Sequence, residues 1–139
     1  MSSPHRPKSP SSFVTCTTLA ALMCVTHLAI AQDSNDAAIG KSLYEAKCSA
    51  CHSVDANRTG PLHRGVVGRP VASVPGFTYS PALQRLGGVW TPERLDLWLQ
   101  NPQALASGST MYFTVDDPVQ RRQIIAYLST LLSPAHPAK

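Results

Sequence analysis

One pentapeptide constrains this 139-residue chain more than any other feature, because residues 48–52 read Cys-Ser-Ala-Cys-His. Two thiols about one helical turn apart can each add to a vinyl group of the same haem, and the adjacent imidazole can then ligate its iron. A C-x-x-C pair also occurs in zinc and redox sites. A zinc ribbon needs a second ligand pair, however, and a thioredoxin-like site needs a βαβ pattern, and we find neither. The motif predicts one covalently bound haem c, with Cys48 and Cys51 as anchors and His52 as an axial iron ligand.

The N-terminal segment has the pattern of an export signal. Residues 1–12 carry basic side chains and no acid, residues 13–30 are mainly apolar, and Ala29-Ile30-Ala31 provides the small residues of a cleavage site. An uncleaved membrane anchor is the alternative, but threonines and a histidine dilute an apolar run that is barely long enough to span a bilayer. We therefore expect a signal peptide over residues 1–31, and a single domain over residues 32–139 in the periplasm.

Cleavage after Ala31 would change the cysteine count and the net charge of the chain. Cys16 and Cys24 would leave with the signal, so the mature chain would keep two cysteines and no pair for a separate structural disulfide. Removing Arg6 and Lys8 would leave ten basic and eight acidic side chains, a net charge of +2. The remaining basic residues are scattered, which argues against binding to nucleic acid.

The spacing of apolar residues predicts a first helix from about Asn35 to Ala50, with Cys48 near its C-terminal end. Glycine and proline are frequent over residues 53–80, which predicts an ordered loop followed by a short helix beginning near Pro81. No alternating β pattern of useful length appears. The sequence therefore predicts an all-α domain whose long loops are organised by the bound cofactor.

Two further helices have clear start signals. Thr91-Pro92-Glu93 combines an N-cap, a proline and an acid, and Asn101-Pro102 would end that helix. Asp117-Pro118-Val119-Gln120 offers an N-cap and a Gln120 that can complete a capping box, and Ser133-Pro134 would stop the helix. Their core faces are expected at Leu95, Trp98, Leu99, Ile124, Ile125, Tyr127, Leu128, Leu131 and Leu132.

Met111 is the candidate for the second axial ligand. It would be the only methionine of the mature chain, and it lies in a glycine-bearing loop between the last two predicted helices. A loop methionine is more often a packing residue, but its uniqueness and its position favour ligation. A thioether is a soft ligand that stabilises ferrous iron, so His/Met ligation suits electron transfer.

These motifs occur in an order that resembles the class I c-type cytochromes, the mitochondrial and bacterial cytochrome c type, from about Ala37 to Leu132. The segments that carry the resemblance are Gly40-x-x-x-Tyr44, the C-x-x-C-H motif, Gly60-Pro61 through Gly68-Arg69, Pro75-Gly76-Phe77-Thr78-Tyr79, Val89-Trp90-Thr91, Asn101-Pro102, Gly108-Ser109-Thr110-Met111 and Tyr127-Leu128. The resemblance implies a cytochrome c fold with one haem, three main helices and one short helix.

The resemblance also implies residue roles. The Pro61 carbonyl would accept the second ring N–H of His52 and so fix the imidazole. Arg69, Tyr79 and Trp90 would hold a buried haem propionate. Gly40 and Tyr44 of the first helix would meet Tyr127 of the last.

Several positions depart from the family pattern. Trp98 and Leu83 replace a tyrosine near the methionine sulfur and a haem-facing asparagine, and Ser107 replaces a proline before Gly108. We expect these substitutions to change the reduction potential and the rigidity of the Met111 loop. We expect His63 at the surface, not at the iron. The mature chain also lacks the lysine-rich face of mitochondrial cytochrome c.

The resemblance implies a periplasmic one-electron carrier that is not an enzyme, with donor and acceptor redox proteins as partners. We expect a monomer that binds no nucleic acid and has no membrane span in its mature form. One alternative is the haem c subunit of a periplasmic dehydrogenase complex, which the sequence does not separate from a free carrier. Another is a haem enzyme with an open iron site, against which Met111 argues.

Overall fold

The computed structural model describes residues 33–132. The predicted signal peptide, the two cysteines within it and the Ser133-Pro134 stop lie outside these residues. Within them the chain forms α1 over residues 33–47 and then α2 (Pro81–Leu86), α3 (Pro92–Gln100), α4 (Pro102–Leu105) and α5 (Pro118–Thr130). The only strand-like pairing in this range is a single bridge between Pro70 and Val89. The all-α prediction is confirmed.

Local sequence accounts for where these helices begin. Thr91 caps α3 by accepting the Arg94 N–H at 3.2 Å, and Asp117 caps α5 by accepting the Val119 N–H at 2.8 Å. The predicted capping box of α5 is only half formed, since no hydrogen bond between the Gln120 side chain and the Asp117 N–H occurs among the described residues. The single turn α4 was not predicted, although Asn101 caps it in the same way.

The first and last long helices cross closely at Gly40. A β-carbon at Gly40 would lie 1.8 Å from the carbonyl oxygen of Gln123, so α1 and α5 approach closely enough that only glycine fits. Beside this crossing, the rings of Tyr44 and Tyr127 pack with centroids 5.3 Å apart. The predicted meeting of these residues is confirmed.

Apolar side chains from α3, α5 and the connecting loops form one core. Its buried members include Leu95, Trp98, Leu99, Ile124, Ile125 and Leu128, as the helical spacing predicted. Tyr127 and Leu131 are partly buried and pack against the core, whereas Leu132 is 75% exposed, so its assignment to the core was wrong. No helix among residues 33–132 is long and apolar enough to cross a bilayer.

A buried cation joins α3 to α5. Arg121 is 7% exposed; it forms an ion pair with Asp96 of α3 at 2.7 Å and donates to the carbonyls of Val115 and Asp116 at 3.0 and 2.8 Å. This arginine therefore also holds the chain segment that returns from the Met111 loop to α5.

Candidate functional site

A cavity of about 610 Å³ lies between the C-x-x-C-H segment and the loop before α5. Its lining is largely apolar, and its volume is typical of a site for one organic cofactor. The structure brings all eight predicted site residues to its wall: Cys48, Cys51, His52, Pro61, Arg69, Tyr79, Trp90 and Met111. Residues separated by more than sixty positions in the chain thus share one site.

The two cysteines occupy a turn that follows α1 directly. The His52 N–H and the Cys51 N–H both donate to the carbonyl of Cys48, at 2.9 and 3.1 Å, and this turn places both thiols at the cavity. Cys48 is half-buried and Cys51 is exposed, and no disulfide joins them. Burial raises the pKa of the Cys48 thiol to about 11.

The imidazole of His52 is held on three sides. Its Nδ1 lies 2.8 Å from the carbonyl oxygen of Pro61, which requires a proton on Nδ1 and leaves the lone pair of Nε2 available to a metal. A β-carbon at Gly60 would lie 2.1 Å from the ring, so the backbone packs directly against it. Burial lowers the pKa of His52, although the Pro61 hydrogen bond acts in the opposite direction. The neutral imidazole is the form that ligates a metal.

His63 supplies the third side, so the expectation that it lies at the surface was wrong. Its ring stacks on His52 with centroids 4.1 Å apart and planes 19° from parallel. Its Nδ1 and the hydroxyl of Tyr44 are buried without a hydrogen-bond partner among the described residues, and the two rings pack edge to face at 5.6 Å. Burial, followed by the nearby His52 and Arg69, lowers the pKa of His63 well below its usual value.

Met111 enters the cavity wall from the loop before α5, and its sulfur has a polar neighbour. The indole Nε1–H of Trp98 donates to Met111 Sδ at 3.2 Å, within the range of a hydrogen bond to sulfur. The hydroxyl that Trp98 lacks is therefore replaced by another donor to the same sulfur. The sequence shows the substitution but contains no signal for this contact.

The Met111 loop is fastened by a residue that sequence reasoning missed. The Gln103 amide nitrogen donates to the carbonyls of Ser109 and Met111, both at 2.9 Å, and its oxygen accepts the Gly108 N–H at 3.1 Å. Nothing in the sequence pattern marks this glutamine, because its role depends on how α4 turns back toward the loop.

The three predicted propionate contacts line the cavity, and the Trp90 N–H donates to the backbone carbonyl of Arg69 at 2.9 Å. Arg69 donates to the carbonyls of Arg64 and Leu62 at 3.0 and 2.9 Å, and burial lowers the pKa of its guanidinium. The Tyr79 hydroxyl accepts the Val74 N–H at 3.4 Å. Trp90 packs edge to face on Trp98 at 5.4 Å. Their shared contact with a carboxylate stays a prediction.

The donor set fits a covalently bound iron porphyrin. Two thiols, an imidazole with its Nε2 available and a thioether line one largely apolar cavity. Residues 33–132 contain no group of three or more His, Cys, Asp or Glu side chains that could hold a metal ion alone.

Comparisons with known proteins agree with this chemistry. The family model described as cytochrome c matches residues 37–132. The chain is 43% identical over 100 residues to the cytochrome c-type cyt cy of Rhodobacter capsulatus, a match that covers 70% of this chain but spans half of that protein. It is 39% identical over 113 residues to a cytochrome c2 of Rhodopseudomonas palustris, covering 69% of this chain and 98% of that protein. Among solved structures it is similar to cytochrome cH from Methylobacterium extorquens, with a TM-score of 0.64 and 35% identity over 68% of this chain and 97% of the other.

Proposed function

The chain belongs to the cytochrome c family, and on that premise we propose that it carries single electrons between redox proteins through a haem c ligated by His52 and Met111. Electron transfer by covalently bound haem c is the function of this family. The observation that carries the ligand assignment is the shared cavity, which both thiols, the His52 ring and the Met111 thioether line.

Four side chains would bind the cofactor, two of them covalently and two as iron ligands. Cys48 and Cys51 would hold the haem through two thioether bonds, each formed by adding an S–H across a vinyl group. The bound haem would supply a one-electron Fe(III)/Fe(II) couple. His52 would offer the lone pair of Nε2 while the Pro61 carbonyl keeps its ring oriented, and Met111 would offer a soft sulfur, which favours ferrous iron and a higher potential.

Arg69, Tyr79 and Trp90 complete the site as donors to a buried propionate. Their guanidinium, hydroxyl and indole groups lie at the same cavity, and a carboxylate there would need compensation for the water it loses. Two backbone carbonyls, those of Arg64 and Leu62, orient the Arg69 guanidinium at the cavity.

A carrier needs an accessible cofactor edge but no catalytic base. At the cavity, Tyr112 is 72% exposed and Phe113 is 46% exposed, and Cys51 is exposed nearby. Among residues 33–132, the charged side chains that line the cavity are Lys47 and Arg69. The exposed aromatic rings support contact with redox proteins at this edge of the cavity, and we propose a monomer that is not an enzyme.

The location follows from the N-terminal pattern. We propose that residues 1–31 are a signal peptide, that residues 32–139 form a monohaem cytochrome c domain, and that the mature protein works in the periplasm. Mass spectrometry of the protein purified from its native host would test this, since cleavage after Ala31 predicts a mature N-terminus at Gln32. The same purification distinguishes a free carrier from a dehydrogenase subunit. A subunit should co-purify with its partner enzyme, whereas a free carrier should not.

The ligand assignment is tested by spectroscopy of Met111→Ala. The wild-type ferric protein should be low-spin and show the weak far-red charge-transfer band of an iron–thioether bond. Met111→Ala should keep the haem attached, lose that band and become high-spin or water-ligated, whereas His52→Ala should abolish stable holoprotein. A Met111→Ala protein with a low-spin spectrum and an unchanged potential would contradict the assignment. Fast binding of carbon monoxide or cyanide by a high-spin wild type would support the open-site enzyme instead.

A further inference from the structure

Met111 is held at two independent points. Trp98 donates to its sulfur at 3.2 Å, whereas Gln103 donates to its backbone carbonyl at 2.9 Å. The Gln103 amide also donates to the backbone oxygen and the hydroxyl of Ser109, at 2.9 and 2.8 Å, and Ser109 is 2% exposed. The side-chain amide of Gln103 therefore forms hydrogen bonds with three residues of the loop: Gly108, Ser109 and Met111.

Gln103 can act as a fixed support because its own backbone is fixed. It lies in α4, where the Asn101 side chain accepts the Ala104 N–H at 3.1 Å and Pro102 is fully buried. The loop that it holds has little rigidity of its own, since Ser107 precedes a Gly108 with φ +89°. The rigidity of the loop around Met111 thus comes from a side chain outside it.

We propose that Gln103 is a positioning residue that controls how readily Met111 leaves the iron. This inference rests on the proposed His52/Met111 ligation. Residues 101–117 contain no histidine, lysine or cysteine, so no side chain of this loop is available to replace the released thioether. Loosening the loop opens the sixth position of the iron to ligands from solution.

The test measures imidazole binding to the ferric holoprotein, followed by loss of the far-red band as Met111 is displaced. Gln103→Ala removes all four contacts, and we expect it to raise the apparent affinity for imidazole by roughly tenfold or more. Gln103→Glu keeps the shape and the bond from Gly108 but places a carboxylate against the carbonyl oxygens of Ser109 and Met111, so its effect should be at least as large. Gln100→Ala is the matched control, because Gln100 is exposed on α3 and its side chain forms none of the hydrogen bonds seen among residues 33–132.

Each outcome separates this inference from the ligand assignment. A wild type that shows the far-red band, together with a Gln103→Ala affinity equal to that of Gln100→Ala, overturns the role of Gln103 alone. A Gln103→Glu protein that binds imidazole like the wild type would mean that the side chain only fills space, which also overturns it. A wild type without the far-red band overturns the ligation by Met111 and the inference with it.

Discussion

The imidazole rings of His52 and His63 lie stacked, with their centroids 4.1 Å apart. The Pro61 carbonyl and the Gly60 backbone restrain the other sides of His52, so His63 completes the enclosure of the proposed ligand. A ring confined in this way has one preferred plane. The orientation of that plane affects how unpaired electron density is distributed over a ferric haem.

We therefore predict that His63→Leu changes the pattern of haem methyl resonances in the NMR spectrum of the ferric protein. His63→Phe is the matched variant, because it keeps a flat ring against His52 while removing both nitrogens. It should retain the wild-type order of the resonances. If His63→Leu gives the wild-type pattern as well, the stacking does not set the plane of His52.

Trp98→Phe should lower the reduction potential. The indole N–H draws electron density from the Met111 sulfur, and a sulfur without this hydrogen bond becomes a better donor to ferric iron. A hydrogen bond of about 0.5–1 kcal/mol corresponds to roughly 20–40 mV for one electron. Potentiometry on both holoproteins checks the value. A potential that stays unchanged or rises would show that this bond does not act on the iron.

Local signals explain how much of the site was predictable. The C-x-x-C-H motif is contiguous, and the caps at Thr91 and Asp117 use bonds to residues two or three positions away, so the sequence shows them directly. Met111, which the structure places at the cavity, could be chosen as a candidate ligand because removal of the signal would leave no other methionine. His63 could not be placed, since its burial depends on how a loop of nearly thirty residues returns beneath His52. Gln103 was missed for a related reason, because a glutamine beside a short turn has the same sequence pattern whether it points to solvent or to a neighbouring loop.

Tyr44 should make the stability of the protein depend on alkaline pH. Burial raises the pKa of its phenol to about 12, against an ordinary value near 10. Between these values the phenol is neutral in the folded protein and ionised in the unfolded chain, so unfolding releases a proton. The free energy of unfolding therefore falls as pH rises from 10 toward 12, with a slope of at most about 1.4 kcal/mol per pH unit.

Tyr44→Phe removes the phenol, so the difference in unfolding free energy between the wild type and this variant isolates the contribution of Tyr44 from that of other titrating groups. Because the Tyr44 hydroxyl has no hydrogen-bond partner within residues 33–132, the variant should be at least as stable as the wild type at pH 8. Urea unfolding of both ferrous holoproteins at pH 8, 10 and 11.5 gives the difference, and the ferrous state is used because it favours the thioether ligand. A constant difference across this range would contradict the raised pKa.

Arg121 is predicted to contribute more to stability than the neighbouring Arg122. The Arg121 side chain is 8% exposed, and Arg121→Met would leave the Val115 and Asp116 carbonyls and the Asp96 carboxylate without their donor. We expect a loss of about 2–3 kcal/mol in the free energy of unfolding, since buried acceptors that lose a charged partner are not fully compensated by water. Arg122→Met makes the same chemical change one residue later, where the side chain is 60% exposed and pairs with Asp36 at 3.3 Å. Asp36 is 15% exposed but keeps the Gln123 amide as a second donor at 3.2 Å, so losing the exposed Arg122 should change stability by no more than about 0.5 kcal/mol.

Urea unfolding of the wild type and the two variants, all as holoproteins at neutral pH, measures both losses. Equal losses in Arg121→Met and Arg122→Met would mean that the buried ion pair does not tie α3 to α5.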